Sequence, residues 1–204
     1  MGLPAQQKKY SVAEYLELER RSEERYEYLD GEIILMAGES REHADISSNL
    51  LREIGNQLKG TACRAWTKDM KVRSGPTPDL VTTTKGLYSH PDIVVVCGEP
   101  EFHDDYTDIL LNARLIIEVL SPSTEAFDRS VKFWRYRSWN PTLTDYLVVA
   151  QNEVFLEHFS RQSDDSWAIV ATYTKLEEVL HIPSIGIHLP LREIYDRVFF
   201  SDPP

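Results

Sequence analysis

Two carboxylates stand on apolar, strand-like runs far apart in the chain. Asp92 enters the run Pro91-Asp-Ile-Val-Val-Val-Cys97, and Glu118 sits in the middle of Leu115 to Leu120. Removing a carboxylate from water is expensive unless a cation or a full set of hydrogen bonds meets it. Two such acids on neighbouring strands point to a metal site at the edge of a sheet. Mg²⁺ takes a few hard oxygen ligands and keeps several waters. Asp92 and Glu118 would supply carboxylates and the Val119 carbonyl a third oxygen. Phosphate oxygens of a substrate would complete the shell. The ion would polarise a phosphoryl group and acidify an attacking water, and a nearby lysine would stabilise developing negative charge.

These residues need a scaffold. The Glu118 run is apolar and β-branched, as in a buried central strand. Behind it, Ser123 or Thr124 caps a helix to about Trp139, ended by Asn140-Pro141. Upstream, Ile46, Leu50, Ile54 and Leu58 recur every four residues in a helix over 41–59, stopped by Gly60. Ser11 and Glu14 form a capping box for a short first helix. Asp30-Gly31 joins two short strands in a hairpin. Ala62 to Trp66 and Met70 to Arg73 read as a strand and its continuation, and Gly75 to His90 as a loop with Pro76, Pro78 and Gly86. Glu99 to Asp108 reads as a solvated acidic loop. Asp145 to Ala150 and Val154 to Phe159 form a hairpin, Trp167 to Tyr173 adds a strand, and Leu191 to Phe199 is a closing helix.

The chain has 204 residues, 42% of them apolar, and reads as one domain with a sizeable core. Its net charge of −11 argues against a strong non-specific nucleic-acid binder, though not against an enzyme that meets nucleic acid locally. No apolar run approaches the roughly 18 residues of a membrane span. The polar stretch Met1 to Tyr10 has no signal-peptide core. Cys63 and Cys97 lack metal-ligand spacing and read as small, reduced core residues, so a cytoplasmic setting is expected.

The pairs Pro91-Asp92 and Glu118-Val119-Leu120 resemble the PD-(D/E)XK nuclease superfamily. Longer segments resemble the Uma-two family of restriction-type endonucleases: Ser11-Val-Ala-Glu-Tyr-Leu, Tyr26-Glu-Tyr-Leu-Asp-Gly-Glu-Ile, Ile117-Glu-Val-Leu-Ser-Pro-Ser-Thr-Glu125 and Asp128-Arg-Ser-Val-Lys-Phe-Trp-Arg-Tyr136. The likeness runs from about Tyr10 to Phe199. It implies a mixed-sheet α/β fold over 1–204, with an N-terminal helix and hairpin at 10–40, a nuclease core at 41–151 and a β-rich extension at 152–204. It also implies Mg²⁺-dependent (or Mn²⁺-dependent) hydrolysis of phosphodiesters, with DNA as substrate, and homodimers. The aromatic and apolar residues Phe155, Phe159, Trp167, Tyr173 and Phe199 also suggest an association surface.

One position departs from the superfamily. The residue two after Glu118 should be lysine and is Leu120. Lys132 is the substitute the family pattern offers. It lies about two turns into the following helix and shares an edge with Asp128 and Tyr136; its simpler reading is a surface pair with Asp128. Asp92 has the competing reading of a strand-entry cap, and Glu118 that of a buried pair with an arginine such as Arg114. Glu27 is either a further ligand or water-orienting acid, or an exposed strand carboxylate. His43 either packs at a helix start, or contacts the scissile phosphate or positions Glu27. The remaining histidines receive no role. Lys68, Lys71 and Arg73 read as a solvated charge run rather than a track for a nucleic-acid backbone. Two competing functions remain: an inert dimeric binding or regulatory module with this fold, and a hydrolase of small phosphoesters.

Overall fold

The computed structural model describes residues 8–76 and 82–200. Residues 1–7 of the polar N-terminus, Pro78 of the expected loop and residues 201–204 lie outside them. Two sheets carry the fold. The first has the order β2-β1-β5-β4-β7, made of β1 (Tyr26–Leu29), β2 (Glu32–Leu35), β4 (Lys71–Ser74), β5 (Leu87–Ser89) and β7 (Ile109–Leu110). The second has the order β11-β10-β9-β8-β6-β3, made of β3 (Cys63–Thr67), β6 (Ile93–Cys97), β8 (Leu115–Leu120), β9 (Asp145–Ala150), β10 (Leu156–Arg161) and β11 (Trp167–Tyr173). This is the mixed-sheet architecture of strands and helices expected from the sequence.

Strand β8 is buried along its whole length, because helices or strands cover both faces of its sheet. On one face, Ile46, Leu50, Ile54 and Leu58 of α2 (Arg41–Leu58) pack on Ile93, Val95, Leu115, Ile117 and Val119. The hairpin β12 (Val179–Ile182) and β13 (Ile187–Pro190) and helix α5 (Leu191–Ile194) close the same face. On the other face, Ile116, Leu120 and Val148 meet Phe133 and Tyr136 of α4 (Phe133–Trp139) and Val72 and Leu87 of the first sheet. Helix α1 (Val12–Arg21) has the capping box read from Ser11 and Glu14, and buries Val12, Tyr15 and Leu16 against Tyr28 and Tyr88. Asp30 and Gly31 both take positive φ, as the tight hairpin requires.

Several expectations are corrected. The run from residue 62 to 73 is two strands in different sheets: β3 pairs β6, whereas β4 pairs β5 and β7. The expected loop before His90 contains β5, too short to show a period. The acidic loop is not freely solvated: Asp104 and Asp108 grip Arg20 of α1, each with an oxygen 2.8 Å from the guanidinium. Lys71 is buried, 2.6 Å from Glu19 and 3.0 Å from Asp108, and Arg73 lies 3.2 Å from His103. Cys63 and Cys97 face each other in the β3–β6 register and are joined by a disulfide. Sequence alone did not reveal that register. Phe159 and Trp167 pack on Phe133, with ring centroids 4.8 and 5.4 Å away, so neither belongs to a free patch. The closing helix ends at Ile194. Among the described residues, no helix is long and apolar enough to cross a membrane.

Candidate active site

The chain crosses from the first sheet to the second through His90-Pro91-Asp92, between β5 and β6. The β6–β8 register pairs Ile93 with Ile117. Continued by one residue, it sets Asp92 opposite Glu118. The Asp92 Oδ2 accepts the Val119 backbone N–H at 2.7 Å. Its Oδ1 lies 2.8 Å from His43 Nε2, brought in by the first turn of α2. Ser40 caps that turn, its Oγ accepting the His43 N–H at 3.1 Å.

The third contributor is the helical stretch after β8. It runs as α3 (Glu125–Phe127), a π-helical turn over Asp128–Lys132, and α4. Thr124 makes no side-chain cap there, contrary to one of the two expected caps. The Phe133 N–H reaches the Asp128 carbonyl, the i→i+5 pattern of a π turn, which occurs often at functional sites. Lys132 closes this turn and points inward. Its Nζ lies 3.0 Å from Glu27 Oε1, 3.2 Å from Asp128 Oδ1 and 3.5 Å from Glu118 Oε1. The expected pair with Asp128 therefore exists, but it is buried rather than on the surface. Glu27 is buried too; it reaches the site from β1 and accepts the His90 N–H at 3.1 Å. Arg114 does not pair with Glu118. The Tyr136 hydroxyl donates to Glu118 Oε1 at 3.0 Å and lies 2.7 Å from Ser89 Oγ.

Charge in this cluster is unbalanced. Glu27, Glu39, Asp92, Glu118 and Asp128 line the cleft, and among its described lining residues Lys132 is the sole lysine or arginine. Burial pushes the Glu118 carboxyl well above its ordinary range; Lys132 pulls it back in part, and Asp128, Asp92 and Glu27 push it further. Burial also raises Asp128, against the pull of Lys132. Burial works against the Lys132 ammonium, but Glu118 and Glu27 more than offset it, so the lysine stays charged. An excess of buried carboxylate around one lysine is a donor set suited to a divalent cation. Glu39, His43 and Asp92 form a group able to hold one. The cleft has a volume of about 520 Å³. Ile34, Leu35 and Met36 form an apolar wall, and the hydroxyls of Ser121, Ser123 and Thr124 lie on its lining.

All six residues singled out from sequence, Glu27, His43, Asp92, Glu118, Val119 and Lys132, line this one cleft. Sequence reasoning missed Glu39, which lies in an irregular stretch, and gave His90 no role. The His90 backbone holds Glu27, and its Nδ1 lies 2.6 Å from the Lys68 carbonyl. For Asp128 and Tyr136 the signals were their spacing by four from Lys132 and their place in the segment 128–136 that carries the family resemblance.

The profile of a family described as "Uma2: Putative restriction endonuclease" matches residues 12–192. The chain is 36% identical over 192 residues to the uncharacterized protein slr1290 of Synechocystis sp., covering 94% of each chain. A second uncharacterized protein of that organism, sll1609, is 32% identical over 169 residues, covering 83% of this chain and 90% of that one. In structure, the chain is similar to a protein from Anabaena variabilis ATCC 29413, solved at 1.96 Å and described as a putative nuclease belonging to DUF820. The TM-score is 0.72 at 17% identity, over 93% of this chain and 99% of that one.

Proposed function

Since the chain belongs to the Uma2 family of putative restriction endonucleases, we propose that it is a metal-dependent endonuclease that hydrolyses DNA phosphodiesters in this cleft. The observation that carries the reading is the meeting of Asp92, Glu118, Glu27 and Lys132 where the two sheets join, in an open cleft. Asp92 and Glu118 would hold Mg²⁺ or Mn²⁺, with Val119 as the backbone ligand. When bound, the ion supplies Lewis acidity and an acidified water.

The protein's own groups do the rest. His43 orients Asp92 through the 2.8 Å contact, and the Val119 N–H fixes the other oxygen. Tyr136, backed by Ser89, orients Glu118. Lys132 takes the place of the lysine missing at Leu120. In the resting state three carboxylates share its ammonium. A substrate phosphate entering the cleft competes for that ammonium, which then stabilises charge on the phosphoryl oxygens. Glu27, held by the His90 N–H, sets where the ammonium rests.

We also read the chain as a homodimer. Ile169 and Val170, both about half exposed on the edge strand β11, support the dimer. A second functional reading, hydrolysis of small phosphoesters, is favoured by the cleft volume, which lies within the range of small-molecule sites. Supercoiled plasmid and bis-p-nitrophenyl phosphate, each supplied with Mg²⁺ or Mn²⁺, separate the two. Nicking of plasmid supports the endonuclease. Turnover of the small diester with intact plasmid supports the alternative, and neither activity leaves the inert module.

A further inference from the structure

The geometry points to a second cation position, built by Glu39, His43 and Asp92, that takes a divalent transition-metal ion in preference to Mg²⁺. This rests on the metal-dependent reading above and adds a site to it. One ligand atom from each of the three residues lies within 4.8 Å of the others. At about 2.1 Å per bond, octahedral ligand atoms stand about 3.0 Å apart when adjacent and about 4.2 Å apart when opposite. His43 Nε2 and Asp92 Oδ1, 2.8 Å apart, already stand at the adjacent spacing, so the gap left to close, less than about 2 Å, is that to the Glu39 carboxylate. Glu39 precedes the Ser40 cap, outside α2, so it is the member able to adjust once it leaves its partner Lys68.

The other two members are held in place. His43 is buried in the capped first turn of α2, its Nε2 on Asp92 Oδ1. Asp92 faces two ways: Oδ2 is committed to the Val119 N–H of β8, and Oδ1 is turned to α2. Glu118 is committed elsewhere, to Tyr136 and Lys132. A cation between Glu39 and His43 would thus share Asp92 with the pair proposed above without drawing on Glu118. A second feature shows that the place attracts positive charge. The Lys68 ammonium reaches across from the β3–β4 turn to pair with Glu39.

The ligand type sets the ion. Mg²⁺ is a hard ion that prefers oxygen ligands and holds its waters tightly. An imidazole nitrogen favours the later first-row ions, and affinity rises along the series from Mn²⁺. One imidazole with two carboxylates therefore discriminates against Mg²⁺, while Asp92 with Glu118 offers oxygen only. Lys68 acts as a competitor that an incoming ion must displace from Glu39.

The test uses the full chain with Mn²⁺ as probe. Pulsed electron paramagnetic resonance should show ¹⁴N coupling from a directly bound imidazole. The coupling should vanish in His43→Gln and persist in His90→Gln, the other histidine on the cleft. Glu39→Gln, at an exposed position that leaves folding intact, should weaken Mn²⁺ binding about 10-fold or more. Lys68→Met should tighten it. Excess Mg²⁺ should leave the ¹⁴N signal in place. Mn²⁺ bound without ¹⁴N coupling, yet lost in Asp92→Asn, overturns this site while the nuclease reading stands. Coupling that survives His43→Gln, or Glu39→Gln with parental affinity, also overturns it. Absence of any Mn²⁺ binding together with intact plasmid defeats both.

Discussion

Lys132 holds a position that is costly in the resting protein. Its ammonium is buried and is shared by Glu27, Glu118 and Asp128. Lys132→Ala leaves these carboxylates without their cation, a loss on the order of 3–5 kcal/mol when a buried pair is broken. Activity must therefore be read per folded molecule. On that basis the substitution should lower plasmid cleavage of order 10²-fold, the effect of losing one electrostatic stabiliser. It should not weaken Mn²⁺ binding, because an ammonium is no ligand. Cleavage at the parental rate would return Lys132 to a structural role. Glu118 gives a second prediction, with a definite sign. Its folded pKa is raised above the ordinary 4.5, chiefly by burial. Its contribution to stability is therefore full below 4.5 and is lost as pH rises through the folded pKa. Glu118→Gln removes that loss. In EDTA, the melting temperature of the variant relative to the parent should climb as pH rises from 5 toward 8. A difference that stays flat would show that the carboxylate is not strained by burial. Stability given up at a functional carboxylate is a common trade.

At the scale of elements, α1 is tied to the first sheet by a charged network. Glu19 and Arg20 meet Lys71, Asp104 and Asp108 across the interface. Burial opposes ionisation of Asp108, but hydrogen bonds from Arg20 and Lys71 outweigh it and bring its pKa from 3.8 to about 2. A lowered carboxylate pKa gives stability that is present above 3.8 and is lost as pH falls toward 2. Asp108→Asn should destabilise the protein at neutral pH and flatten its acid unfolding between about pH 4 and 2, followed by circular dichroism. An unchanged acid transition would mean that the network is solvated and weak. This network also shows where sequence reading stopped. Helix α2, strand β8 and the Asp30-Gly31 hairpin were legible, because period and turn chemistry are local. So were Asp92 and Glu118, since a carboxylate in an apolar run is conspicuous. The partners of the acidic loop were not, because Arg20 and Asp108 lie 88 residues apart. The same holds for Cys63 and Cys97, whose pairing depends on the β3–β6 register. Glu39 carried no signal at all: its part in the site follows from where α2 begins.

For the molecule as a whole, the chain passes from one sheet to the other between β5 and β6, and the catalytic proposal stands at that crossing. The edge strand β11 lies at the far side of the six-stranded sheet. Ile169 and Val170 are 52% and 51% exposed on it, an unpaired edge with little charge to protect it. Light scattering should report a homodimer. Ile169→Lys with Val170→Lys should shift the mass to a monomer without loss of fold. A parental protein that is monomeric at every concentration would contradict the proposed association.

The central claim is metal-dependent cleavage of DNA at the Asp92–Glu118 cleft. Its most direct test is conversion of supercoiled plasmid to nicked or linear forms by the parent and by Asp92→Asn, in Mg²⁺, in Mn²⁺ and in EDTA. The account predicts cleavage by the parent in at least one of the two metals. It predicts none in EDTA and none by Asp92→Asn in any condition. Intact plasmid with the folded, metal-supplied parent would contradict it, as would equal cleavage by Asp92→Asn.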